Sequence, residues 1–480
     1  MRVVVIGAGV AGICAAIKLR EAGYDDVAIY EKADRLGGTW RENTYPGVAC
    51  DVPSHLYSYS FAPNPDWSHT FSPGAEIQAY LEGVARERGV IDGITFATQV
   101  LAMSFDGAAW EIELSGGGRD RAHVVIAATG VLHHPHIADL PGLADFGGAC
   151  FHSARWDHEV PIDDRRIGVV GTGSSAVQIV TEITERVRAL HLFQRTAQWV
   201  LPAPNLEVEP EERARLRTDP DAVRAIREHF ASTFEEGFAN AVVDADSPQL
   251  KVIEGLCRSN LEDNVADREL RERLRPDYRA ACKRIIVSPA FYEAISRPNA
   301  TLVTSAIERV EATGVRTTDG ELHELDVLVL ATGFRVDRFL RPTKVRGVDG
   351  VDLDEVWRER PSAYLSLSVP GFPNLFLLNG PNGPVGNFSL IEVAELQVAY
   401  VLQLIEPLRA GSTATVCALA DSLEQFEAER VDAAKRTVWV TGCRSWYLDD
   451  RGIPSAWPWP FTRFREVMAT PDPDAFAYGP

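Results

Sequence analysis

A chain of 480 residues is longer than one compact core organises and suits two or three domains. Hydrophobic residues make up 45% and charged residues 24%, the balance of a soluble globular protein, and no apolar run reaches membrane-spanning length. Sixty-eight acidic against 48 basic side chains give a net charge of −20 without a basic stripe, which argues against nucleic acid or an anionic membrane and favours a small neutral substrate.

The seven cysteines (Cys14, Cys50, Cys150, Cys257, Cys282, Cys417 and Cys443) contain no C-x-x-C pair. Neither a disulfide framework nor a thiol redox centre is suggested, no metal site is expected, and the compartment reads as reducing and cytoplasmic. Met1 to Val10 is apolar but is interrupted by Gly7 and Gly9, so it reads as a strand rather than a signal peptide.

The first element is that short β-branched run. Gly7, Gly9 and Gly12 follow in G-x-G-x-x-G spacing with Ala11 among them, then a helical pattern closed by Gly23, then VAIYEK, which carries Glu31 and Lys32. Such glycines let the backbone approach a pyrophosphate at a helix N-terminus, and an acid at the tip of the second strand accepts ribose hydroxyls. An adenine dinucleotide with free ribose hydroxyls is expected here. An irregular Gly/Pro/Trp-rich loop, LGGTWRENTYPGVACD, comes next and holds Gly38, Thr39, Trp40 and Asp51. A helix from Glu76, a hairpin around Trp110 turning at Gly116–Gly118, and the run VVIAATG ending at Gly130 complete this part.

A second cradle, Gly171-Thr172-Gly173-Ser174-Ser175, opens a helix carrying Gln178, and its second strand runs into Arg195 and Thr196. Glu31 and Arg195 each lie 24 residues beyond the first glycine of their cradle, so the spacing assigns them equivalent places. An acid repels a 2′-phosphate, whereas a guanidinium grips one. The first site therefore suits FAD and the second NADPH/NADP+. Residues 202–280 are acidic, helical and proline-punctuated, and DVLVLATGF then repeats VVIAATG.

The expected fold is α/β, with two Rossmann-like dinucleotide-binding domains and an inserted helical subdomain. Its expected division is 1–145 for the first part of the FAD domain, 146–160 for a hinge and 161–201 for the first part of the NADP domain. Residues 202–280 form the insertion, 281–333 return to the NADP domain, and 334–480 return to the FAD domain and add a C-terminal loop region. In that last part a helix is expected from about Ser389, and of the four tail tryptophans only Trp446 is singled out.

Phe146, Gly148, His152, Trp156 and Asp157 fit F-x-G-x-x-x-H-x-x-x-W-D, and Gly37, Gly38, Trp40, Tyr45, Pro46, Gly47 and Asp51 fit G-G-x-W-x-x-x-x-Y-P-G-x-x-x-D. In these patterns the chain resembles the Baeyer-Villiger monooxygenases, and its LDDRGIPSAWP segment is similar to the aryl-ketone, acetophenone-type branch rather than to the cyclohexanone type. The resemblance implies that NADPH reduces FAD, that dioxygen adds to the reduced flavin, and that the peroxide attacks a ketone to give an ester or lactone. It further implies that Arg284 is the catalytic cation and that Asp51 orients it. Lys283, Arg195 and Thr196 would hold the 2′-phosphate, Trp40, Asp51 and Tyr57 would contact FAD, and Trp446 would sit on a mobile loop over NADP. His152 is expected to be a structural hinge residue. Two rivals remain at this point: a flavin monooxygenase oxygenating amines or sulfides, whose relatives usually carry Tyr or Phe at position 156, and a dinucleotide-binding sensor without turnover.

Overall fold

The computed structural model describes all residues 1–480. Strand β1 (Val3–Ile6) leads into helix α1 (Val10–Glu21), and β2 (Val27–Tyr30), β3 (Ile94–Thr95) and β4 (Val124–Ala127) follow. β1 and β4 are buried at every residue, as expected of continuous β-branched runs in a parallel sheet covered on both faces. Val3 stands opposite both Val27 and Val124. Gly12 sets how closely α1 lies on this sheet: a Cβ there would come within 1.9 Å of the Gly7 carbonyl oxygen.

The second unit repeats this plan. Its elements are β5 (Ala149–His152), β6 (Arg166–Val170), α2 (Ser174–Ile183) and β7 (Ala189–Phe193). The inserted helices α3 (Pro220–Phe234) and α4 (Pro248–Asn264) come before β8 (Ala300–Val303) and β9 (Val327–Leu330). The chain then returns to the first sheet through β10 (Leu375–Leu377) and helix α5 (Leu390–Arg409), with Ser389 at its N-cap. The sheet orders are β10-β4-β1-β2-β3 and β8-β7-β6-β9-β5, all parallel and the same order read from opposite ends.

That correspondence gives the segment around His152 a structural place. The fifth strand of the first sheet comes from the returning chain, whereas the fifth strand of the second is β5, drawn from just before that unit's own glycine turn. Within the stretch expected as a hinge, Ala149–His152 form an edge strand of the second sheet, with His152 opposite Leu330.

The insertion hangs between two short parallel segments, Val200–Leu201 and Ile286–Val287, which pair with each other. Between α3 and α4 the chain makes a π-helical turn, Glu235–Ala239. Three of the tail tryptophans, Trp439, Trp457 and Trp459, are core residues, while Trp446 is 39% exposed. No helix is long and apolar enough to cross a membrane.

The cysteine reading needs correction. Cys282 and Cys443 form a disulfide across a sequence separation of 161 residues. No local spacing announces it, because the pair meets only when the segment 280–285 packs against the tail loop around Val438, Trp439 and Tyr447.

Candidate active site

A cavity of 1910 Å³ runs between the two units and under the insertion. Pockets for one small molecule usually measure about 300–1000 Å³, so this one has room for more than one ligand. Both glycine turns open into it. Gly7 and Gly171 have φ of +100° and +116°, and a Cβ on either would meet the carbonyl oxygen of Ala128 or Ala331 at 2.6 or 2.3 Å. Gly9 and Gly173 are the N-caps of α1 and α2, and neither helix has a side-chain cap or an acid in its first turn. Their first N–H groups are therefore left for an anion, and two dinucleotide pyrophosphates fit the two cradles.

In the first cradle the buried Glu31 carboxylate accepts the amides of Ala8 and Ala33 at 2.8 and 2.9 Å and faces Arg41 at 3.2 Å. These bonds fix its direction and leave acceptor capacity for ribose hydroxyls. Lys32, Gly38, Thr39, Ala11 and Trp40 line the same end of the cavity. Trp40 Nε1 donates to the Tyr57 hydroxyl at 3.2 Å, and the two rings meet edge to face.

The equal spacing of Glu31 and Arg195 does not carry over into register. Gly7 donates its amide to Tyr30, and Gly171 donates its amide to Phe193, so the residue equivalent to Glu31 is Gln194 and Arg195 matches Lys32. The link from glycine turn to second strand is one residue shorter in the second unit, with a shorter helix within it. Gln194 turns inward, donating its Nε2 to the Arg273 carbonyl at 2.7 Å, while Arg195 is exposed on the cavity. The charge contrast survives, since the acid of the first cradle is replaced by a neutral amide followed by a cation. Lys283 lies close enough to Arg195 to feel its charge. Burial pushes the Lys283 ammonium below its usual range, Asp277 opposes this, and Arg195 adds to the lowering. Two cations converging on one wall suit a phosphate.

Arg284 and Asp51 join the units. Arg284 Nε and Nη2 both donate to Asp51 Oδ2, at 3.1 and 2.5 Å, and a third of the arginine side chain faces the cavity. Asp51 raises the guanidinium above its already high range, against burial, so Arg284 stays a cation. Sequence reasoning passed over Tyr447, a buried phenol whose ring packs against Trp439 and Trp446, four residues beyond the Cys443 that is bonded to Cys282. The available signal was its adjacency to Trp446: the two rings pack 4.1 Å apart, with Trp446 lining the cavity and Tyr447 buried. It also passed over an apolar wall on the insertion, formed by Phe230, Phe234, Phe238, Val252 and Leu256.

Several expected residues also make contacts within the chain. Gln178 lines the cavity, but both ends of its amide bridge the units: Tyr45 donates to its Oε1 at 2.8 Å, and its Nε2 donates to the Ala49 carbonyl at 3.0 Å. Ser175 donates to the same Tyr45 hydroxyl at 3.1 Å, and Thr172 donates to the Thr196 carbonyl at 2.8 Å. Gly12 and the five residues of the Phe146–Asp157 pattern lie outside the cavity lining. His152 Nδ1 accepts the Ala154 amide at 3.1 Å and Nε2 lies 3.0 Å from the Gly333 carbonyl, which requires the neutral ring with its proton on Nε2. Burial lowers its pKa, in keeping with that form. Trp156 packs against Phe151, Gly148 lets the chain pass the Asp326 carbonyl and the Phe146 ring, and the exposed Asp157 accepts the Glu159 amide.

Known proteins share this arrangement. A family model described as flavin-binding monooxygenase-like matches residues 1–208. The chain is similar to an uncharacterized monooxygenase of Mycobacterium tuberculosis, with 45% identity over 476 residues, 99% of this chain and 95% of the relative. It is similar to a Baeyer-Villiger monooxygenase of Streptomyces coelicolor, with 40% identity over 470 residues, 97% of this chain and 90% of the relative. Among solved structures, an oxidized steroid monooxygenase bound to NADP superposes with a TM-score of 0.88 at 30% identity, covering 100% of this chain and 99% of that one.

Proposed function

The chain belongs to the Baeyer-Villiger monooxygenase family, FAD- and NADPH-dependent oxidoreductases that insert one oxygen atom beside a ketone carbonyl, and we propose that Arg284 is the residue around which it organises this reaction. The balanced conversion takes a ketone, NADPH, a proton and dioxygen to an ester or lactone, NADP+ and water. Bound FAD supplies electron transfer from NADPH and the activation of dioxygen. The rest falls to the chain's own residues.

Glu31 holds the FAD ribose, and the N-termini of α1 and α2 hold the two pyrophosphates. Arg195 and Lys283 hold the 2′-phosphate, which makes NADPH the preferred nicotinamide. Arg284, fixed by Asp51, places a permanent positive charge where the ketone oxygen becomes an alkoxide, and a preorganised donor of this kind is worth roughly 3–4 kcal/mol of transition-state stabilisation. The insertion at 202–280 caps the cavity, and its phenylalanine-rich wall selects uncharged, apolar ketones by size.

The observation that carries this reading is the Arg284–Asp51 pair, set in one cavity with both glycine cradles. Incubating the FAD-loaded protein with NADPH, air and a ketone panel should yield products heavier by one oxygen atom. Oxygenation of amines or sulfides alone would refute it.

A further inference from the structure

The apolar wall of the cavity is supported from behind. Phe234 meets Phe238 with ring centroids 5.3 Å apart and meets Phe388 edge to face at 5.9 Å, and all three line the cavity. Phe388 stacks in turn on Phe461 at 3.7 Å, which lies outside the lining. Phe234 and Phe238 come from the insertion, Phe388 directly precedes the N-cap of α5, and Phe461 begins helix α6 (Phe461–Val467). Three segments far apart in the chain must hold their places for the wall to keep one shape.

Arg465, on α6, touches all three. Its guanidinium lies over the rings of Phe388 and Phe461, 5.3 and 4.7 Å from their centroids. Nη1 donates to Glu235 Oε2 at 2.5 Å, while Nε and Nη2 donate to Glu392 Oε1 at 3.0 and 2.9 Å. Glu235 opens the π-helical turn between Phe234 and Phe238, and Glu392 stands in the first turn of α5, four residues after Phe388. Arg227, on α3, lies 3.5 Å from the other oxygen of Glu392 and 3.9 Å from Glu395, so the charges alternate in sign from the turn across to α5.

A fully exposed ion pair would count for little here. The Glu235 and Glu392 side chains, however, are only 9% and 14% exposed, and Glu235 has no other ion-pair partner. Without Arg465, Glu235 would be a buried carboxylate with no cation, and the turn would have to move to bring it to water. Phe234 and Phe238, on either side of it, would move as well.

We propose that Arg465, which lies outside the cavity lining, is a positioning residue for substrate size: through Glu235 and Phe388 it fixes the phenylalanine wall and so sets how long a ketone the cavity admits. The inference rests on the reading of the cavity as a ketone site given above.

Alkyl phenyl ketones of increasing chain length, from acetophenone upward, measure the wall. In FAD-loaded Arg465→Ala the ratio of kcat/KM for the longest ketones to that for acetophenone should rise about tenfold, the low end of what one methylene is worth in an apolar pocket. Reduction of FAD by NADPH should keep its wild-type rate. A merely destabilised fold would lower all the ketones alike and leave the ratio unmoved. Glu235→Gln keeps the shape of the side chain and removes its charge, so it should shift the ratio the same way by less, and it keeps the test open should the alanine variant not fold. Combining the two should add little to Arg465→Ala, since both act through one contact. Arg465→Lys retains the charge without the planar fork and should restore only part of the wild-type ratio. One readout needs no turnover: hydrogen exchange of the backbone amides from Phe234 to Asn240 should be faster in Arg465→Ala and Glu235→Gln than in wild type, with β1 and α1 unchanged. Equal exchange in that segment would overturn the positioning role whatever the substrate proves to be. Faster exchange with an unmoved ratio would overturn the role in substrate size. Should wild type oxygenate sulfides and no ketone, the reading above falls, and alkyl phenyl sulfides of the same lengths decide the role of Arg465 by the same ratio.

Discussion

Arg284 meets Asp51 across a sequence separation of 233 residues, with Nε and Nη2 on one carboxylate oxygen. The acid comes from the irregular loop after the first cradle and the arginine from the segment that closes the insertion. Neither unit alone contains the pair. Asp51→Ala should still bind FAD but lose roughly 1.5–3 kcal/mol of transition-state stabilisation in ester formation, the usual worth of a hydrogen bond to a charged group. Arg284→Lys retains the charge but cannot spread donors in a plane, so it should recover little of the activity. Steady-state ester formation by both variants checks this, and a wild-type rate in either contradicts it.

Arg195 and Lys283 share one wall of the cavity, where burial lowers the lysine's proton affinity and the charge of Arg195 adds to that lowering against Asp277. Replacing either with alanine should raise KM for NADPH by about tenfold or more while leaving KM for NADH nearly unmoved, because NADH has no 2′-phosphate to lose. Equal effects on the two coenzymes would remove the second cradle's assignment.

The insertion supplies Phe230, Phe234 and Phe238 to the cavity, two of them flanking or within the π-helical turn. Exchanging residues 202–280 for the corresponding segment of a relative should change which ketones react and leave flavin reduction by NADPH intact. An unchanged ketone range measured on the same panel would show that this segment is not the cap.

Three histidines, one buried (His55) and two half-buried (His133 and His191), set the direction of the acid response. Burial lowers His55 to about 4, His133 to about 3, with His134 adding to the effect, and His191 to about 4, all from 6.5. The unfolded chain therefore takes up protons first as pH falls. The stability these groups contribute is fully present above about pH 6.5 and is lost as pH drops through the folded values. Tm should decline from pH 7 to pH 4.5, and His191→Gln should decline less than wild type. Identical slopes would show that His191 contributes nothing to the acid response.

Both cradles were legible because each is local: strand, glycine turn and helix lie within a few tens of residues, and a positive φ at Gly7 and Gly171 demands glycine. Register was less legible. Counting 24 residues from each first glycine paired Glu31 with Arg195, but the shorter second link shifts the match to Gln194, which only the strand pairing reveals. His152 shows a different limit. Its pattern was recognisable, but its place on an edge strand, bonded to the Gly333 carbonyl, depends on β5 pairing with β9 far along the chain. The disulfide and Tyr447 were beyond the sequence for the same reason, since both depend on the tail folding back over residues 280–285.

The most direct measurement follows the fate of NADPH in Arg284→Ala. Wild type with a reactive ketone should convert NADPH to ester nearly one for one. The alanine variant should still bind FAD and oxidise NADPH, but its ester should fall by about 10²–10³-fold, with hydrogen peroxide appearing in its place, because the donor that stabilises the carbonyl's developing charge is gone. Ester formation by Arg284→Ala at the wild-type rate, with no rise in peroxide, would contradict the account.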